Sequence, residues 1–391
     1  MPVAQPSVRR MAAGGFAVAC ASTLLLTVPL AAGASARGSS AHRAAAPVRV
    51  AGPASWTMVK DAPAATRVIA GLNAVAAVSA ADAWAVGGNG DDSPLILRWN
   101  GVSWKRVAGL GQGGGQLLGV AAVSAHDAWA VGFSLILHWN GTRWRRMSTP
   151  GGYVLHAVAA WSARNAWAVG SAERGTSSSA LILRWNGVSW KRVAAPGGRG
   201  AELAGVTVTS ARSAWAVGGA GGRPLVLHWN GTRWTRARVP ALPASLYGVA
   251  ATSARNVWAV GVGHRTRPSG CDLACPLVLH WNGRSWRRAP SANPPSRPQG
   301  NWLFAVTATA RSAWAVGGTS VTSAAGHAFI LRLERGRWRR VPSPGGPGGT
   351  ILFGVAATSL RNAWAVGYGT QSTPPPAVIL HWNGTRWTRV L

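Results

Sequence analysis

The stretch from Leu352 to Val390, LFGVAATSLRNAWAVGYGTQSTPPPAVILHWNGTRWTRV, contains the two signatures that decide the fold. The first is the pentad A-W-A-V-G around Trp364, and the second is W-N-G-x-x-W from Trp382 to Trp387. A polar turn at 359–362 and a hairpin turn at Asn383-Gly384, where both residues tolerate positive φ, separate short apolar runs. The predicted strands are 352–357, 363–366, 378–382 and 387–390.

Both signatures recur along the chain at intervals of about 47 residues. The seven pentads, including close variants, centre on Trp84, Trp129, Trp167, Trp215, Trp258, Trp314 and Trp364. W-N-G-x-x-W follows every pentad except the sixth, where Leu333 replaces the first Trp and only Trp338 is kept. Four antiparallel strands in each repeat of about 40–50 residues are typical of a β-propeller blade. The sequence therefore predicts an all-β, seven-bladed β-propeller of four-stranded antiparallel blades.

Tryptophan is unusually frequent, with 23 residues against 3 Tyr and 5 Phe, and 20 of the 23 belong to the two signatures. We expect these side chains to fill the space between blades, because a large aromatic ring removes roughly 200 Å² from water when it is buried. The alternative is an exposed ladder that stacks on sugars or bases, but recurrence in every copy favours packing. The repeat pattern does not determine how the ring closes, since the seven copies already supply all the strands and Trp56–Val59 resembles an additional one.

The N-terminal residues 1–36 have the pattern of a signal peptide. Arg9 and Arg10 precede the apolar run Met11–Ala32, and Ala34-Ser35-Ala36 matches a cleavage site. The alternative is an uncleaved membrane anchor, which glycine and proline inside the run disfavour. Residues 37–55, rich in Ala, Arg, Ser and Pro, are predicted to be a flexible linker, and residues 56–391 the propeller. We therefore expect a secreted protein, associated with the cell wall or the membrane surface.

The repeated pattern resembles that of a known group of propellers. Leu-x-x-Val, a polar turn, Trp-Ala-Val-Gly, Ile-Leu-x and Gly-x-x-Trp are similar to the repeat of bacterial BNR-type propellers, in particular the photosystem II stability and assembly factor group. The resemblance extends over about residues 70–391 and implies a scaffold. An Asp-box would place Asp five residues before the last Trp, where this chain has Trp382 and its equivalents. The resemblance therefore does not imply sialidase chemistry.

Strand order separates two ends of the predicted propeller. The turns between strands one and two and between strands three and four are nearly constant, as at 359–362 and 383–386, and define the constant face. The other connections, such as 132–134 and 261–276, differ in every copy and define the variable face, where binding sites on rigid scaffolds usually lie.

One position of the first strand, two residues before its Val, varies in an otherwise strict repeat. It contains Asn73, Leu118, His156, Ala204, Tyr247, Phe304 and Phe353. We expect these side chains near the mouth of the central channel on the variable face. One interpretation is that they only plug the channel. The other is a partly aromatic ligand pocket, and its candidate residues are Asn73, His156, Tyr247, Phe304 and Phe353.

The charge balance is strongly basic, with 40 Lys and Arg against 9 Asp and Glu and a formal net charge of +31. The turns of the constant face carry Arg143, Arg164, Arg212, Arg233, Arg255, Arg311, Arg337, Arg361 and Arg386. Such a surface attracts anionic polymers, for example wall phosphates, acidic lipid surfaces or nucleic acid, although we expect no specific nucleic-acid recognition. The alternative is GC-rich codon usage, which also favours Arg over Lys.

A basic residue precedes W-N-G or its equivalent in every copy. These residues are Arg98, His138, Arg184, His228, His280, Arg332 and His381. They lie on seven different blades, too far apart to share a metal ion, so we expect a hydrogen bond or a cation–π contact with a neighbouring Trp instead. Cys271 and Cys275 lie in the longest variable loop, where a disulfide is favoured over a free pair or a zinc site with His264. The sequence predicts no metal and no cofactor.

Acidic residues suited to catalysis are few and scattered. Asp91, Asp92, Glu173, Glu202 and Asp272 lie in different variable-face segments, whereas glycoside hydrolysis needs two carboxylates about 5–10 Å apart. No nucleophile elbow, zinc-binding HExxH or phosphate loop is present in the sequence.

We therefore predict a monomeric, non-enzymatic binding or scaffolding propeller that recognises a protein or glycan through its variable face. The first alternative is a cationic binder of polyanions, such as a cell-wall polymer or nucleic acid. The second is a secreted hydrolase or lyase with its site at the channel mouth, built on paired acids among Asp91, Asp92 and Glu202.

Overall fold

The computed structural model describes residues 71–89, 91, 93–107, 115–149, 151–174, 177–264, 274–291, 300–319, 326–344, 349–370 and 375–391. These residues contain 28 strands in seven four-stranded antiparallel sheets, so the predicted seven-bladed β-propeller is confirmed. Among them, no helix is long and apolar enough to cross a membrane. The predicted signal peptide, the linker and the possible strand Trp56–Val59 lie outside the described residues.

Each blade consists of four consecutive strands. Blade 1 comprises β1 (Leu72–Ser79), β2 (Asp82–Gly88), β3 (Pro94–Trp99) and β4 (Trp104–Arg106), and blade 2 comprises β5 (Leu117–Ser124), β6 (Asp127–Gly132), β7 (Leu135–Trp139) and β8 (Trp144–Arg146). Blade 3 comprises β9 (Tyr153–Ser162), β10 (Asn165–Arg174), β11 (Ser177–Trp185) and β12 (Trp190–Val193), and blade 4 comprises β13 (Ala201–Ser210), β14 (Ser213–Ala220), β15 (Arg223–Trp229) and β16 (Trp234–Arg236). Blade 5 comprises β17 (Ala244–Ser253), β18 (Asn256–His264), β19 (Ala274–Trp281) and β20 (Trp286–Arg288). Blade 6 comprises β21 (Asn301–Thr309), β22 (Ser312–Thr319), β23 (His327–Glu334) and β24 (Arg337–Val341), and blade 7 comprises β25 (Thr350–Ser359), β26 (Asn362–Gly369), β27 (Ala377–Trp382) and β28 (Trp387–Arg389).

The order of strands within a blade runs from the central channel outward. The first strands of neighbouring blades contact one another all round the ring, including β25 with β1, so they line the channel. Within a blade, each strand pairs with the next one in the chain, and the fourth strand pairs only with the third. No strand is exchanged between blade 7 and blade 1 within the described residues, so side chains must close the ring.

Tryptophan triads form the contacts between blades. The pentad Trp84 of blade 1 packs against Trp139 and Trp144 of blade 2, with ring centroids 5.0 and 5.1 Å apart. Trp364 of blade 7 contacts Trp99 and Trp104 of blade 1 at 4.9 and 5.1 Å with almost the same interplanar angles. The predicted packing role of the signature tryptophans is confirmed, and the ring closes with the same kind of interface that joins blades 1 and 2.

The sixth copy differs from the others in its triad and in its hairpin. Leu333 replaces one Trp of the triad, and the pentad Trp258 that packs on this blade is 7% exposed, whereas the other six pentad tryptophans are 0–2% exposed. Its hairpin turn is formed by Arg335 and Gly336, both with positive φ. In the Asn-Gly turns only the glycine has positive φ, for example +103° at Gly384. The Asn side chain instead accepts hydrogen bonds from backbone N–H groups of the turn.

Candidate ligand-binding site at the variable face

The variable position of each first strand is the unpaired residue of a β-bulge. In blade 5, Leu246 pairs with Gly261 and Gly248 pairs with Val260, so Tyr247 between them has no partner in the ladder. The same irregularity occurs in the other six blades. The bulged residues are Asn73, Leu118, His156, Ala204, Tyr247, Phe304 and Phe353. A β-bulge redirects a side chain relative to the regular pleat, so one backbone device presents all seven.

The glycine of the pentad explains why the bulge recurs. In blade 4, a β-carbon on Gly218 would collide with the carbonyl oxygen of Glu202, and in blade 6 one on Gly317 would collide with the carbonyl oxygen of Trp302. The corresponding glycine meets the corresponding carbonyl in every other blade. The bulge turns this carbonyl toward the second strand, and only glycine leaves room for it. The constant pentad therefore positions the variable residue.

The bulged residues of neighbouring blades lie next to one another. Asn73 Nδ2 donates a hydrogen bond of 2.8 Å to the carbonyl of Leu117 in blade 2, and His156 Nδ1 lies 3.1 Å from the carbonyl oxygen of Leu203 in blade 4. All seven bulged side chains are half-buried. Because each first strand begins at the variable face, the five predicted site residues are brought into one ring near that end of the channel.

Aromatic side chains from blades 5, 6 and 7 form a continuous cluster in this ring, which we call the aromatic arc. It consists of Tyr247, Trp302, Phe304, Phe353 and Tyr368. Successive ring centroids are 6.4 Å apart for Tyr247 and Trp302, 5.5 Å for Tyr247 and Phe304, 4.9 Å for Phe304 and Phe353, and 5.1 Å for Phe353 and Tyr368. These separations lie within the range of favourable aromatic pairs.

Sequence reasoning missed two members of the aromatic arc. Trp302 lies two residues before the bulge of blade 6, and Tyr368 directly follows the last pentad. A signal for Trp302 was present, because it is one of the three tryptophans outside both signatures. Tyr368 gave a weaker signal, since the residue after the pentad differs in most copies.

A polar pair continues the ring beyond the aromatic arc. His156 Nε2 lies 3.3 Å from Glu202 Oε1, and each side chain is 21% exposed. Burial raises the pKa of the Tyr247 phenol, the negative charge of Glu202 raises it further, and a hydrogen bond with Ser245 opposes both effects. Tyr247 is therefore a neutral phenol at physiological pH.

The structure describes no carboxylate pair between Glu202 and another of the predicted acids. Asp91 is exposed, and hydrogen bonds from Ser93 lower the pKa of its carboxyl group. Glu173 is exposed at the end of β10, while Asp92 and Asp272 lie outside the described residues. The described contact of the Glu202 carboxylate is with the imidazole of His156. In the part of the chain that the structure describes, no three His, Cys, Asp or Glu residues could hold a metal ion.

The nine predicted arginines of the constant face are all exposed, and we call them the constant-face arginines. Within the described residues, none of them forms an ion pair with a carboxylate. The stems of Arg164, Arg212, Arg255 and Arg361 pack over the hairpin glycines, as at Arg212, whose Cβ would lie 3.3 Å from a β-carbon on Gly231. The guanidinium groups therefore project into solvent from a rigid turn.

The basic residues before W-N-G contact the pentad tryptophan of their own blade. The four histidines lie against it with ring centroids 3.9–4.2 Å apart; three are stacked, and His381 is tilted by 31°. The three arginines place their guanidinium carbon 4.8–5.2 Å from its ring centroid. Burial lowers the pKa of His228, His280 and His381. The expected contact with Trp is present in all seven blades, so these residues belong to the packing of the propeller.

The predicted disulfide falls at the edge of the described structure. Cys275 is a buried residue of β19, and Cys271 lies outside the described residues. The pairing of the two residues therefore stays a prediction.

These features define the class: a seven-bladed β-propeller whose first strands present variable bulged residues. No protein-family model and no curated protein matches the chain. It is similar to the structure of U3-55K, with a TM-score of 0.54, 12% identity, and coverage of 80% of this chain and 95% of that one. Similarity to the WD40 propeller domain of Doa1 has a TM-score of 0.55 at 10% identity, covering 80% and 93%.

The chain is also similar to YCF48 from Cyanidioschyzon merolae, with a TM-score of 0.46, 17% identity, and coverage of 74% and 88%. The two structures with TM-scores above 0.5, U3-55K and the Doa1 domain, support the propeller scaffold that the repeat implied. At these identities the likeness concerns the fold alone.

Proposed function

We propose that this protein is an exported, non-enzymatic binding propeller that recognises a protein or glycan ligand at the variable-face end of its channel. One observation carries the proposal. A bulge that is repeated in all seven blades presents residues of six different types, and those of blades 5 to 7 belong to one aromatic arc. A purely structural plug has no need for such variation on a constant backbone.

The chemistry of the aromatic arc suits recognition. Its five side chains are half-buried, so each ring keeps accessible surface while its position is restrained by neighbouring rings. Apolar and aromatic surface with a few polar groups is the usual lining of a ligand site. Rigid aromatic side chains also lose little conformational entropy when a ligand covers them. Binding is therefore the activity that this arrangement supports best.

The absence of catalysis is part of the proposal. Hydrolysis of glycosides uses two carboxylates with distinct roles, and the described partner of the Glu202 carboxylate is the imidazole of His156, 3.3 Å away. Export is inferred from residues 1–36, whose sequence has the pattern of a signal peptide.

The test compares three versions of the chain that starts at Arg37. The first is the parent, the second has Tyr247, Phe304 and Phe353 changed to Leu, and the third has Arg212, Arg255 and Arg361 changed to Ser. Leucine removes the rings but keeps apolar volume at the mouth. Each protein is titrated with isolated cell-wall polymer, soluble glycans and an immobilised peptide array over a series of salt concentrations, and thermal melting confirms folding.

We expect a component of binding that resists salt, that is lost in the leucine variant and that is kept in the serine variant. Binding that disappears at moderate salt and is equal in the parent and the leucine variant would contradict the proposal.

A second candidate function is polyanion binding by the constant-face arginines. The specific observation is that all nine are exposed and without a carboxylate partner in the described structure. Duplex DNA is the simplest probe, since its affinity falls with log salt in proportion to the phosphates neutralised. The serine variant should reduce this slope by about one for each phosphate contact that is lost, while the leucine variant leaves it unchanged. An equal slope in all three proteins would exclude the constant face.

A further inference from the structure

We infer that the constant face binds the surface of an acidic lipid bilayer, with its arginines at the headgroups and a set of exposed apolar side chains in the interfacial layer. This inference rests on the second candidate function above, polyanion binding, and names a lipid surface as the polyanion. It is carried by the placement of exposed apolar side chains on the same face as the cationic charge.

Exposed apolar side chains are concentrated on the constant face. Five large ones are exposed in the described structure, and four of them lie in the turns of this face or directly beside a turn. We call these four the apolar tips: Val102, Trp161, Val188 and Leu360. Val102 and Val188 are 82% and 83% exposed, and Trp161 is 52% exposed. Single exposed apolar residues are common, whereas their gathering on one face is typical of an interaction surface.

Trp161 lies at the end of β9 next to the turn 162–165, where the ladder with β10 leaves it unpaired. The equivalent Thr252 of blade 5 and Thr358 of blade 7 each accept a hydrogen bond of 2.7 Å from the Asn side chain four residues later. An indole has no acceptor for such a bond. In blade 3, a contact within the turn is therefore replaced by a ring that is half exposed to solvent.

The other apolar tips also replace smaller or more polar residues. Val102 and Val188 occupy a hairpin position where three other blades have a threonine whose hydroxyl donates to the Asn of the turn at 2.8–2.9 Å. Valine keeps the shape of threonine but cannot form this bond. Leu360 lies where the other six copies have Ala. Packing of the propeller thus does not account for the apolar tips.

The tip of blade 3 shows how the apolar and cationic groups are arranged. Trp185 Nε1 donates a hydrogen bond of 2.9 Å to the carbonyl of Ala163, which joins the hairpin 186–189 to the turn 162–165. A β-carbon on Gly187 would lie 3.2 Å from Cγ of Arg164, so this arginine packs beside the hairpin. Trp161 precedes the turn and Val188 follows the glycine. Aromatic, aliphatic and cationic side chains therefore share one blade tip, a combination typical of surfaces that lie on membranes.

The charge of the constant face suits an anionic surface. Its nine arginines are exposed and have no carboxylate partner in the described structure. The described acids nearest to this face are Asp82, Asp127 and Glu334, and each lies 2.8–3.4 Å from the basic residue that precedes W-N-G or its equivalent in its own blade. Anionic lipids attract arginines close to the bilayer surface. The paired acids offer little repulsion to such a surface.

The apolar tips favour a bilayer over a polyanion in solution. A soluble polyanion compensates the arginines but leaves Val102 and Val188 in water. Bases of a single-stranded nucleic acid could stack on Trp161, but not on valine. The interface of a bilayer accepts all of these groups, since tryptophan is enriched there and aliphatic side chains reach the acyl boundary. Stable anchoring of a peripheral protein usually combines an apolar and a basic signal.

The test uses the chain that starts at Arg37, which keeps every described strand and omits the apolar run Met11–Ala32. The threonine variant, Val102→Thr/Trp161→Thr/Val188→Thr, gives each position the residue that other copies have there. Phe133→Thr is the matched control, since it removes the exposed apolar side chain of the variable face. Each protein is sedimented with phosphatidylcholine vesicles, with and without one-third phosphatidylglycerol, and is titrated in parallel with duplex and single-stranded DNA. Thermal melting confirms folding.

We expect the parent and Phe133→Thr to bind the vesicles with phosphatidylglycerol at least ten-fold more tightly than the neutral vesicles. The threonine variant should lose at least ten-fold in affinity for the acidic vesicles, while its affinity for both DNA probes stays within two-fold of the parent. Equal binding of the parent to both kinds of vesicle, or an unchanged vesicle affinity in the threonine variant, would overturn the inference. An equal loss toward vesicles and single-stranded DNA would do the same, because it would assign the tips to nucleic acid.

The second candidate function is tested separately with the serine variant of Arg212, Arg255 and Arg361. If its DNA salt slope equals that of the parent, polyanion binding by the constant face fails, and the inference fails with it. If the slope falls but the threonine variant binds acidic vesicles like the parent, the constant face is a polyanion binder and only the lipid inference fails.

Discussion

The carbonyl oxygen of Glu202 occupies the space that a β-carbon on Gly218 would need. This relationship joins the most constant element of the repeat, the pentad glycine, to the strand that presents the variable residue. It recurs between the equivalent residues of all seven blades. The bulge therefore requires glycine at this position of the pentad.

The first prediction follows from this contact. Gly218→Ala should lower the free energy of unfolding by about 1–3 kcal/mol, because an added methyl group forces the bulge or the second strand to move. Gly219→Ala is the matched control, since the nearest atom to its β-carbon is Ser245 Oγ at 3.7 Å. Urea unfolding of both variants gives the comparison. Equal stabilities would show that the carbonyl contact does not restrain the bulge.

The second prediction concerns closure of the ring. Trp364→Ala at the junction of blades 7 and 1 should cost about 3–5 kcal/mol, and Trp129→Ala between blades 2 and 3 should cost the same within error. The two tryptophans are well matched, as both are almost fully buried and both contact a histidine of their own blade, with ring centroids 4.1 and 4.2 Å apart. Urea unfolding measures both losses. A much smaller loss for Trp364 would mean that the closing interface is weaker than the others.

The third prediction addresses the incomplete triad of blade 6. Leu333→Trp should raise the free energy of unfolding by about 0.5–2 kcal/mol, because it restores the ring that covers Trp258. The new indole N–H would also donate to the carbonyl of Ala310, as Trp382 does to Leu360 at 3.0 Å. Thermal melting and urea unfolding measure the gain, with Leu333→Ala as the destabilised reference. A stability lower than that of the parent would show that other atoms fill this space.

The fourth prediction is a pH dependence of stability. Burial lowers the pKa of His228 from its ordinary value of 6.5, so the folded protein favours the neutral ring. The stabilisation from His228 is therefore complete above pH 6.5 and is lost as the pH falls through the lower, folded value. His228→Arg, the residue type that blades 1, 3 and 6 have here, carries its charge throughout this range.

Denaturation between pH 7.5 and 5 should therefore show a shallower loss of stability for His228→Arg than for the parent. The same change at His280 and His381, where burial also lowers the pKa, should flatten the profile further. Parallel profiles for the parent and the triple variant would show that these histidines do not control acid sensitivity.

Much of the candidate site could be located from the sequence but not assembled from it. The variable position was visible because it interrupts a strict repeat, and this identified Tyr247, Phe304 and Phe353. Trp302 and Tyr368 could not be assigned to the site from the sequence, since neither occupies that position. Contact between His156 and Glu202 could not be inferred either, because the two residues lie on different blades and their separation depends on how neighbouring bulges face each other.

The sequence by itself determined the number of blades, their four-stranded order and the role of tryptophan, because these depend on local patterns repeated seven times. Alternation, turn residues and a constant spacing of large rings suffice for a blade that contacts only its neighbours. Only the tertiary structure decided how the ring closes, that the variable residue is bulged, and which side chains meet at the mouth. Ring closure and the contacts at the mouth arise where separate blades approach one another. The bulge depends on backbone geometry within one blade, a carbonyl over a glycine, and residue types alone specify neither.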